Sequence, residues 1–280
     1  ILCVDDSVRW LRNRSFPIVT PDQQVVRYAG ITEDITSRRE AQSQAFALEL
    51  SREKVKLLHR FVRDASHDLR TPLSSLLLKL DLLEKVDAPQ RQKLQRELRD
   101  VAKHLNRLIE DLFTLSRIES EEQTLSAGVD FNAIVKQVGE QHQIIAQSKN
   151  LGLGVFLAGE AVKIPGSQDQ MFRLVANLVE NAIYYTDQGT ITVRTLVDGG
   201  QAILEVADTG MGIPEANIEH IFERFYRTDE ARTKRQAGTG LGLAIVQAIV
   251  EQHQGTISAQ SIEGEGTTFR VSFPLMSTHA

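Results

Sequence analysis

FVRDASHDLRTPL (residues 61–73) decides how the rest of this chain is organised. It lies inside a leucine-rich run whose apolar residues recur at steps of three, four and seven, the seam of a coiled coil or helical bundle: Leu48, Val55, Leu58, Val62, Ala65, Leu69, Leu76, Leu80 and Leu83. At about 100° per residue, His67 lies ~160–200° around the helix from its seam neighbours and points to solvent. Thr71, at i+4, shares the His67 face, and Asp68 stands beside it.

A second helical run follows after a break at residues 86–89. Its apolar residues step by four and three: Leu94, Leu98, Val101, Leu105, Leu108, Leu112, Leu115 and Ile118. Two amphipathic helices joined by a short loop predict an antiparallel hairpin. One hairpin leaves apolar surface uncovered, so we predict that two chains pair into a four-helix bundle. Pro72 removes one helical hydrogen bond, and a bend or local loosening is expected just after His67.

The whole-chain composition is that of a soluble globular protein. The 280 residues are 41% hydrophobic and 25% charged, which suits one large domain or two to three small ones. A net charge of −5 argues against nucleic-acid binding, and no apolar run reaches the length of a membrane span. Cys3 is the only cysteine, so an internal disulfide is excluded and a cytoplasmic setting is expected. The chain opens at Ile1 in mid-pattern, so we expect a fragment of a longer protein, soluble or membrane-anchored.

The N-terminal segment predicts a β-hairpin. Residues 7–19 and 24–36 are rich in β-branched and aromatic residues, and Thr20–Gln23 between them is a turn signal. Two strands alone are marginal in water, so further strands are expected upstream. RWL at Arg9–Leu11 and GITEDIT at Gly30–Thr36 resemble the C-terminal motif of a PAS sensor domain. An unrelated hairpin at a helix start is the alternative.

Beyond Ile118 the pattern changes to alternating helix and strand signals. Residues 120–128 are polar and are interpreted as a linker. We predict helices over 132–149, 167–184 and 241–252, a polar, basic loop over 215–237, and strands near 153–157, 161–164, 190–197, 202–207, 256–261 and 267–273. This order predicts helices on one face of a largely antiparallel sheet.

Two clusters in this last region carry polar groups that suit a ligand. Asn177 and Asn181 lie at i and i+4 on one helix face, where two amide oxygens can face one cation or its water shell. Taken alone, the pair is more simply a solvated helix face. Asp208-Thr209-Gly210-Met211-Gly212 follows an apolar strand, and the aspartate can accept a hydrogen bond from an exocyclic amine. Taken alone, this segment is equally a plain turn.

Two further clusters suit phosphate. Gly238-Thr239-Gly240-Leu241-Gly242 opens a helix, where unpaired backbone N–H groups bind anions. The segment is neither a Walker motif nor a Rossmann fingerprint. The preceding loop is interpreted as a lid because it is basic, with Arg224, Arg227, Arg232, Lys234 and Arg235. Taken alone, any single arginine there is more simply a solvated side chain. Together the four clusters indicate a site for a nucleotide and magnesium.

Six motifs in one order resemble those of the sensor histidine kinases of two-component signalling. HDLRTP at His67–Pro72 resembles the phosphoacceptor box, and GEGTTF at Gly264–Phe269 resembles the closing glycine motif. Four further motifs resemble the ATP-binding boxes: NLVENA (177–182), DTGMGI (208–213), FERFYR (222–227) and GTGLGL (238–243). The resemblance implies C-terminal PAS-like strands over 1–36, a coiled-coil signalling helix over 37–60, a dimerisation and histidine phosphotransfer domain over 61–122, and an α/β-sandwich ATP-binding domain of the Bergerat type over 123–280.

The resemblance also implies an activity and its residues. The chain would be an ATP-dependent protein histidine kinase that works as a homodimer and passes the phosphoryl group from His67 to an aspartate of a response-regulator receiver domain. Asp68 would act as the base, and Thr71 would orient water for dephosphorylating the partner. Asn181 would bind Mg²⁺ directly and Asn177 through water. The remaining nucleotide contacts would come from Tyr185, Asp208, Gly210, Gly212, Ile213, Arg227, Gly238, Thr239, Gly240, Leu241 and Gly242.

One departure from the family pattern leaves alternatives open. The family has lysine near the phosphates at the position of Tyr184. A tyrosine carries no charge, so phosphate affinity or rate is expected to fall unless a lid residue substitutes. Beside the kinase, two alternatives remain: an enzyme acting mainly as a phosphatase through Thr71, and a signalling scaffold with a vestigial nucleotide site. Phosphorylation within one chain or between two chains is equally open.

Overall fold

A computed structural model describes residues 9–19, 25–83, 85–120, 128–159, 162–227 and 238–276. The elements, in chain order, are β1 (Leu11–Val19), β2 (Val25–Asp34), α1 (Thr36–Leu83), α2 (Ala88–Ser120), β3 (Gly128–Asp130), α3 (Phe131–Ser148), β4 (Gly152–Phe156), β5 (Lys163–Pro165), α4 (Gln168–Tyr185), β6 (Thr190–Asp198), β7 (Gln201–Asp208), a short 3₁₀ helix (Glu215–Asn217), α5 (Gly242–Gln252), β8 (Thr256–Ile262) and β9 (Gly266–Pro274). The chain divides into two compact units, Ile1–Asp64 and Ala65–Ala280.

The first unit contains the predicted hairpin and the start of α1. β1 and β2 pair antiparallel, with Leu11 opposite Asp34. The hairpin is tied to the helix start by Thr36, whose backbone N–H and hydroxyl both donate to the Asp34 carboxylate, at 2.9 and 2.6 Å. The Thr36 hydroxyl also accepts from the Trp10 N–H at 2.8 Å, and the Arg39 guanidinium lies 4.2 Å from the Trp10 ring centroid. These contacts fix where the sheet ends and the helix begins.

The second unit opens with the helical hairpin. α1 continues through Pro72 as one helix to Leu83, and α2 returns from Ala88, as the break at residues 86–89 predicts. Lys79 on α1 pairs with Glu97 on α2. Leu108, Leu115 and Ile118 of α2 are buried. α2 packs along α5. Within the described residues, no helix combines the length and the hydropathy that a membrane span requires.

The rest of the second unit is a sheet covered by helices. Five strands stand in the order β4-β6-β7-β9-β8, with β4 and β6 parallel and all other neighbours antiparallel. α4 lies between α3 and α5, and all three helices contact the sheet. The core between the layers is apolar, and Phe131 meets Phe273 edge-on with ring centroids 5.8 Å apart. The predicted fold class is confirmed.

Two features differ from the expectation. β3, which pairs with β5, was not predicted because three residues are too short to show an alternating pattern. A 3₁₀ turn at Glu215–Asn217 interrupts the segment interpreted as one loop. The predicted lid residues Arg232, Lys234 and Arg235 lie outside the described residues, as does most of the predicted linker.

Candidate active site: an exposed histidine and a nucleotide pocket

His67 presents its ring to solvent on α1. Its side chain is 78% exposed, as the helical seam predicts. Nδ1 lies 3.1 Å from Oδ1 of Asp68, the neighbouring residue. A carboxylate is an acceptor, so this contact holds the proton on Nδ1 and leaves the lone pair on Nε2. The arrangement suits a nucleophilic imidazole whose second nitrogen carries the proton to be lost.

Thr71 stands one helical turn after the histidine. Its hydroxyl donates to the His67 carbonyl at 3.4 Å, and its side chain is exposed. The following residue, Pro72, has no N–H, so the Asp68 carbonyl lacks the donor that a helix normally supplies. Pro72 therefore interrupts the helical hydrogen-bond pattern beside the histidine, and Thr71 offers a hydroxyl on the same solvent-facing surface.

A cavity of about 550 Å³ lies between α2, α4 and the segments before α5. A second, smaller cavity of about 80 Å³ shares part of its wall and extends toward β7. The walls bring together most of the predicted nucleotide residues: Asn177, Asn181, Tyr185, Asp208, Gly212, Ile213, Arg227, Gly238, Thr239, Gly240 and Gly242. Neither wall includes Gly210 or Leu241. The volume suits a nucleotide-sized ligand.

The smaller cavity ends at Asp208. Burial raises the pKa of this carboxyl, and the backbone N–H donors of Gly210 and Thr267 offset only part of that rise. Gly210 donates at 2.9 Å and approaches the Tyr185 carbonyl, where a Cβ would lie only 2.5 Å from the oxygen. The glycine is therefore needed for close packing behind the wall. Asp208 keeps an acceptor facing an apolar recess, which suits the amine of a purine base.

The larger cavity has a helix start in its wall. Gly240 has φ +71°, and its carbonyl accepts from the Phe225 N–H at 2.9 Å. α5 begins at Gly242, where the Asn177 amide donates to the backbone carbonyl at 3.2 Å. Leu241 is fully buried, and its N–H donates to the Thr239 hydroxyl at 3.3 Å. Backbone donors at a helix N-terminus and two asparagines on the facing helix form a cradle that fits a phosphate chain with a bound cation.

Tyr184, at which the sequence departs from the motif that it resembles, lines the larger cavity. Its ring meets the Tyr185 ring edge-on, with centroids 4.8 Å apart. The Lys149 ammonium lies 5.7 Å from the Tyr184 ring centroid and donates to the Ile183 carbonyl at 2.9 Å. This lysine holds the end of α4 and is absent from the cavity wall.

The contribution of α2 to the cavity was not predicted from the sequence. Arg107, Glu110 and Asp111 line it, together with Arg173 from α4. Asp111 is only 4% exposed and pairs with Arg173. One signal was available, because Asp111 lies three residues after Leu108 and four before Leu115 on an otherwise apolar helix face.

Two family models match the chain and define its class. The phospho-acceptor domain of histidine kinases, His Kinase A, matches residues 57–121. The histidine kinase-, DNA gyrase B- and HSP90-like ATPase model matches residues 166–277. The first match contains His67, and the second contains nearly all of the nucleotide cavity. The class is therefore a histidine phosphoacceptor hairpin joined to an ATPase domain.

Individual relatives narrow the class to a family. The chain is 37% identical over 227 residues to sensor histidine kinase RppB of Synechocystis sp., covering 78% of this chain and 49% of that protein. ShkA, solved in complex with AMPPNP, is 30% identical with a TM-score of 0.59, over 77% of this chain and 45% of that one. AdeS of Acinetobacter baumannii is 26% identical with a TM-score of 0.62, and the match covers 75% of this chain and 98% of that one. The chain belongs to the sensor histidine kinases of two-component systems, as its motifs indicated, and spans about half the length of RppB.

Proposed function

We propose that this chain is an ATP-dependent protein histidine kinase that phosphorylates His67. The observation that carries the proposal is the contact between His67 Nδ1 and Asp68 at 3.1 Å, on a side chain that is 78% exposed. The fold supplies a nucleotide-sized cavity in the same compact unit. An exposed, correctly protonated nucleophile and a phosphate cradle are the two parts that phosphoryl transfer requires.

The residues divide the work of the reaction. ATP supplies the γ-phosphoryl group and leaves as ADP when the bond to the β-phosphate oxygen breaks. His67 Nε2 attacks the phosphorus and becomes positively charged, and Asp68 accepts the proton that Nδ1 then sheds. The N–P bond replaces the broken O–P bond: the phosphoryl group moves from ATP to Nε2, ADP leaves, and the proton moves from Nδ1 to the Asp68 carboxylate.

The nucleotide contacts follow from the cavity wall. Asp208 accepts from the adenine amine, and Tyr185 packs beside the base. Asn181 would bind Mg²⁺ directly and Asn177 through water; both residues line the cavity, one helical turn apart. Arg227, in the same wall, would bind the γ-phosphate. Mg²⁺, when bound, would supply positive charge that, with the arginine, offsets the charge on the oxygens of the transferring group.

Labelling with γ-phosphate-labelled ATP tests the proposal. The wild-type chain is expected to take up acid-labile label, and His67→Gln is expected to take up none. His59→Gln, an exposed histidine on the same helix, is the matched control and should label like wild type. A wild-type chain that binds ATP and remains unlabelled contradicts the kinase assignment and favours a scaffold.

Dephosphorylation of the partner is a second candidate function. Thr71 shares the solvent-facing surface of His67 and is exposed. The proposed partner is the receiver domain of a response regulator, whose phosphorylated aspartate would meet this surface. Thr71→Ala is expected to slow loss of phosphate from that aspartate while His67 still labels. Equal decay with the wild-type and Thr71→Ala chains would remove the phosphatase function.

Dimerisation is proposed from the uncovered leucines of the hairpin. Leu73, Leu77 and Leu80 are 47%, 56% and 44% exposed in the single chain. A four-helix bundle of two hairpins would bury such side chains. Leu80→Glu is expected to convert a sedimenting dimer into a monomer. Ile144→Glu, a change at a 76% exposed position on α3, is the control that should leave the dimer intact.

A further inference from the structure

Asp111 is a buried carboxylate at the border of the hairpin and the nucleotide cavity. It is 4% exposed on α2, between Leu108 and Leu115, each 1% exposed. Placing a carboxylate in apolar surroundings is costly unless charged and hydrogen-bonding partners accompany it. The groups that accompany the Asp111 carboxylate therefore indicate its role.

Those partners come from two walls of the cavity. Oδ1 pairs with Nη2 of Arg173, which lies one helical turn before Asn177 on α4. Oδ2 accepts from the Thr239 hydroxyl at 2.7 Å. Thr239 is 7% exposed and belongs to the glycine-rich segment that opens α5. One carboxylate from the hairpin thus joins the two elements that face the proposed phosphate site.

An arginine and a threonine hydroxyl are also donors that proteins use to bind phosphate. Arg173 and Thr239 both line the larger cavity, and so does Asp111. Among the residues that the structure describes, the buried Nε of Arg173 has no hydrogen-bond partner. The Asp111 carboxylate therefore leaves one donor of this guanidinium unused.

We propose that Arg173 and Thr239 form a subsite for the terminal phosphate of ATP, and that the Asp111 carboxylate occupies this subsite when that phosphate is absent. The inference rests on the proposed ATP binding and adds a competition to it. Two anions repel each other at one pair of donors, so ATP must displace Asp111. ADP lacks the terminal phosphate and leaves Asp111 in place. By linkage, ATP weakens the hold of α2 on the nucleotide domain by the same factor.

The ratio of ATP to ADP affinity tests the subsite in the full chain. Titration with ADP and with a non-hydrolysable ATP analogue, both with Mg²⁺, supplies the two dissociation constants. Asp111→Asn keeps the size of the side chain and removes its charge, so the ATP analogue is expected to bind about tenfold more tightly while ADP binding stays unchanged. Arg173→Gln and Thr239→Val are expected to weaken the ATP analogue by roughly fivefold or more and to spare ADP.

Asp100→Asn is the matched control, because it removes one exposed carboxylate from the same helix. It should alter neither affinity. An unchanged ratio in Asp111→Asn with wild-type ADP affinity overturns the subsite alone. A wild-type chain that binds neither nucleotide overturns the proposed function. If Asp111→Asn also loses ADP, the variants of Arg173 and Thr239 decide, and an unchanged ratio in both overturns the inference.

Discussion

Gly212→Ala is expected to damage both the fold and the adenine end of the cavity. Gly212 has φ +69°, and an added Cβ would overlap the carbonyl oxygen of Ile262. The left-handed backbone costs an L-residue roughly 1–2 kcal/mol. Forcing a methyl group into filled space costs roughly 1–3 kcal/mol more. The free energy of unfolding should therefore fall by about 2–5 kcal/mol.

Gly199→Ala separates the two costs. Gly199 has φ +56° in the turn between β6 and β7, and nothing lies within 4 Å of its added Cβ. This variant should lose only the backbone share, about 1–2 kcal/mol. Urea unfolding followed by circular dichroism measures both variants against wild type.

Nucleotide binding supplies the second measurement for this pair. Gly212 lines the smaller cavity with Asp208 and Ile213. A shift of its backbone away from Ile262 would move that wall, so ADP affinity in Gly212→Ala should fall roughly tenfold, about 1.4 kcal/mol. Gly199→Ala should bind ADP like wild type. Equal losses of stability in the two variants, or equal ADP affinities, would refute the reasoning.

Three further predictions concern the cavity and its surroundings. Tyr184→Lys should lose an aromatic contact of about 0.5–1.5 kcal/mol but bind ATP roughly tenfold more tightly, and an unchanged affinity by titration would contradict this. Asn181→Ala should remove the dependence of ATP binding on Mg²⁺, which titrations with and without the cation measure. The hydrogen bond to Glu180 raises the pKa of His142, and the same contact lowers the pKa of Glu180. The stability that His142 contributes is fully present below its ordinary pKa of 6.5 and is lost as pH rises through its raised pKa. The stability that Glu180 contributes is fully present above its ordinary pKa of 4.5 and is lost as pH falls through its lowered pKa. Urea unfolding should therefore show the largest loss in His142→Gln between about pH 4.5 and 6.5, and a loss independent of pH would contradict the pairing.

Much of the fold was predictable because its signals are local. The leucine seam places the two hairpin helices and turns His67 outward, and both results follow from helical geometry alone. β3 was not predicted because a three-residue strand is specified by its tertiary pairing with β5 and not by a local pattern. The gathering of Asn181, Asp208 and Gly240 around the two adjoining cavities was predicted only from the recognised order of motifs, since no local pattern joins residues so far apart in sequence.

The role of Asp111 lies beyond local sequence patterns for the same reason. Its partners Arg173 and Thr239 are 62 and 128 residues away. The position of Asp111 on the apolar face of α2 signals burial, but only the docked fold shows which donors accompany the carboxylate. Thr239 was expected to face nucleotide; it lines the larger cavity, and its hydroxyl also donates to Asp111 of the hairpin.

The burial of Asp111 also bears on how this molecule melts. Two domains held together by specific contacts unfold together and give a single calorimetric transition, whereas loosely joined domains give two. The Asp111 carboxylate, the Arg173 guanidinium and the Thr239 hydroxyl supply such contacts between α2 and the nucleotide domain. Differential scanning calorimetry would then detect the ligand as a change in cooperativity: one endotherm with ADP, and a split endotherm once the terminal phosphate has taken the place of the carboxylate.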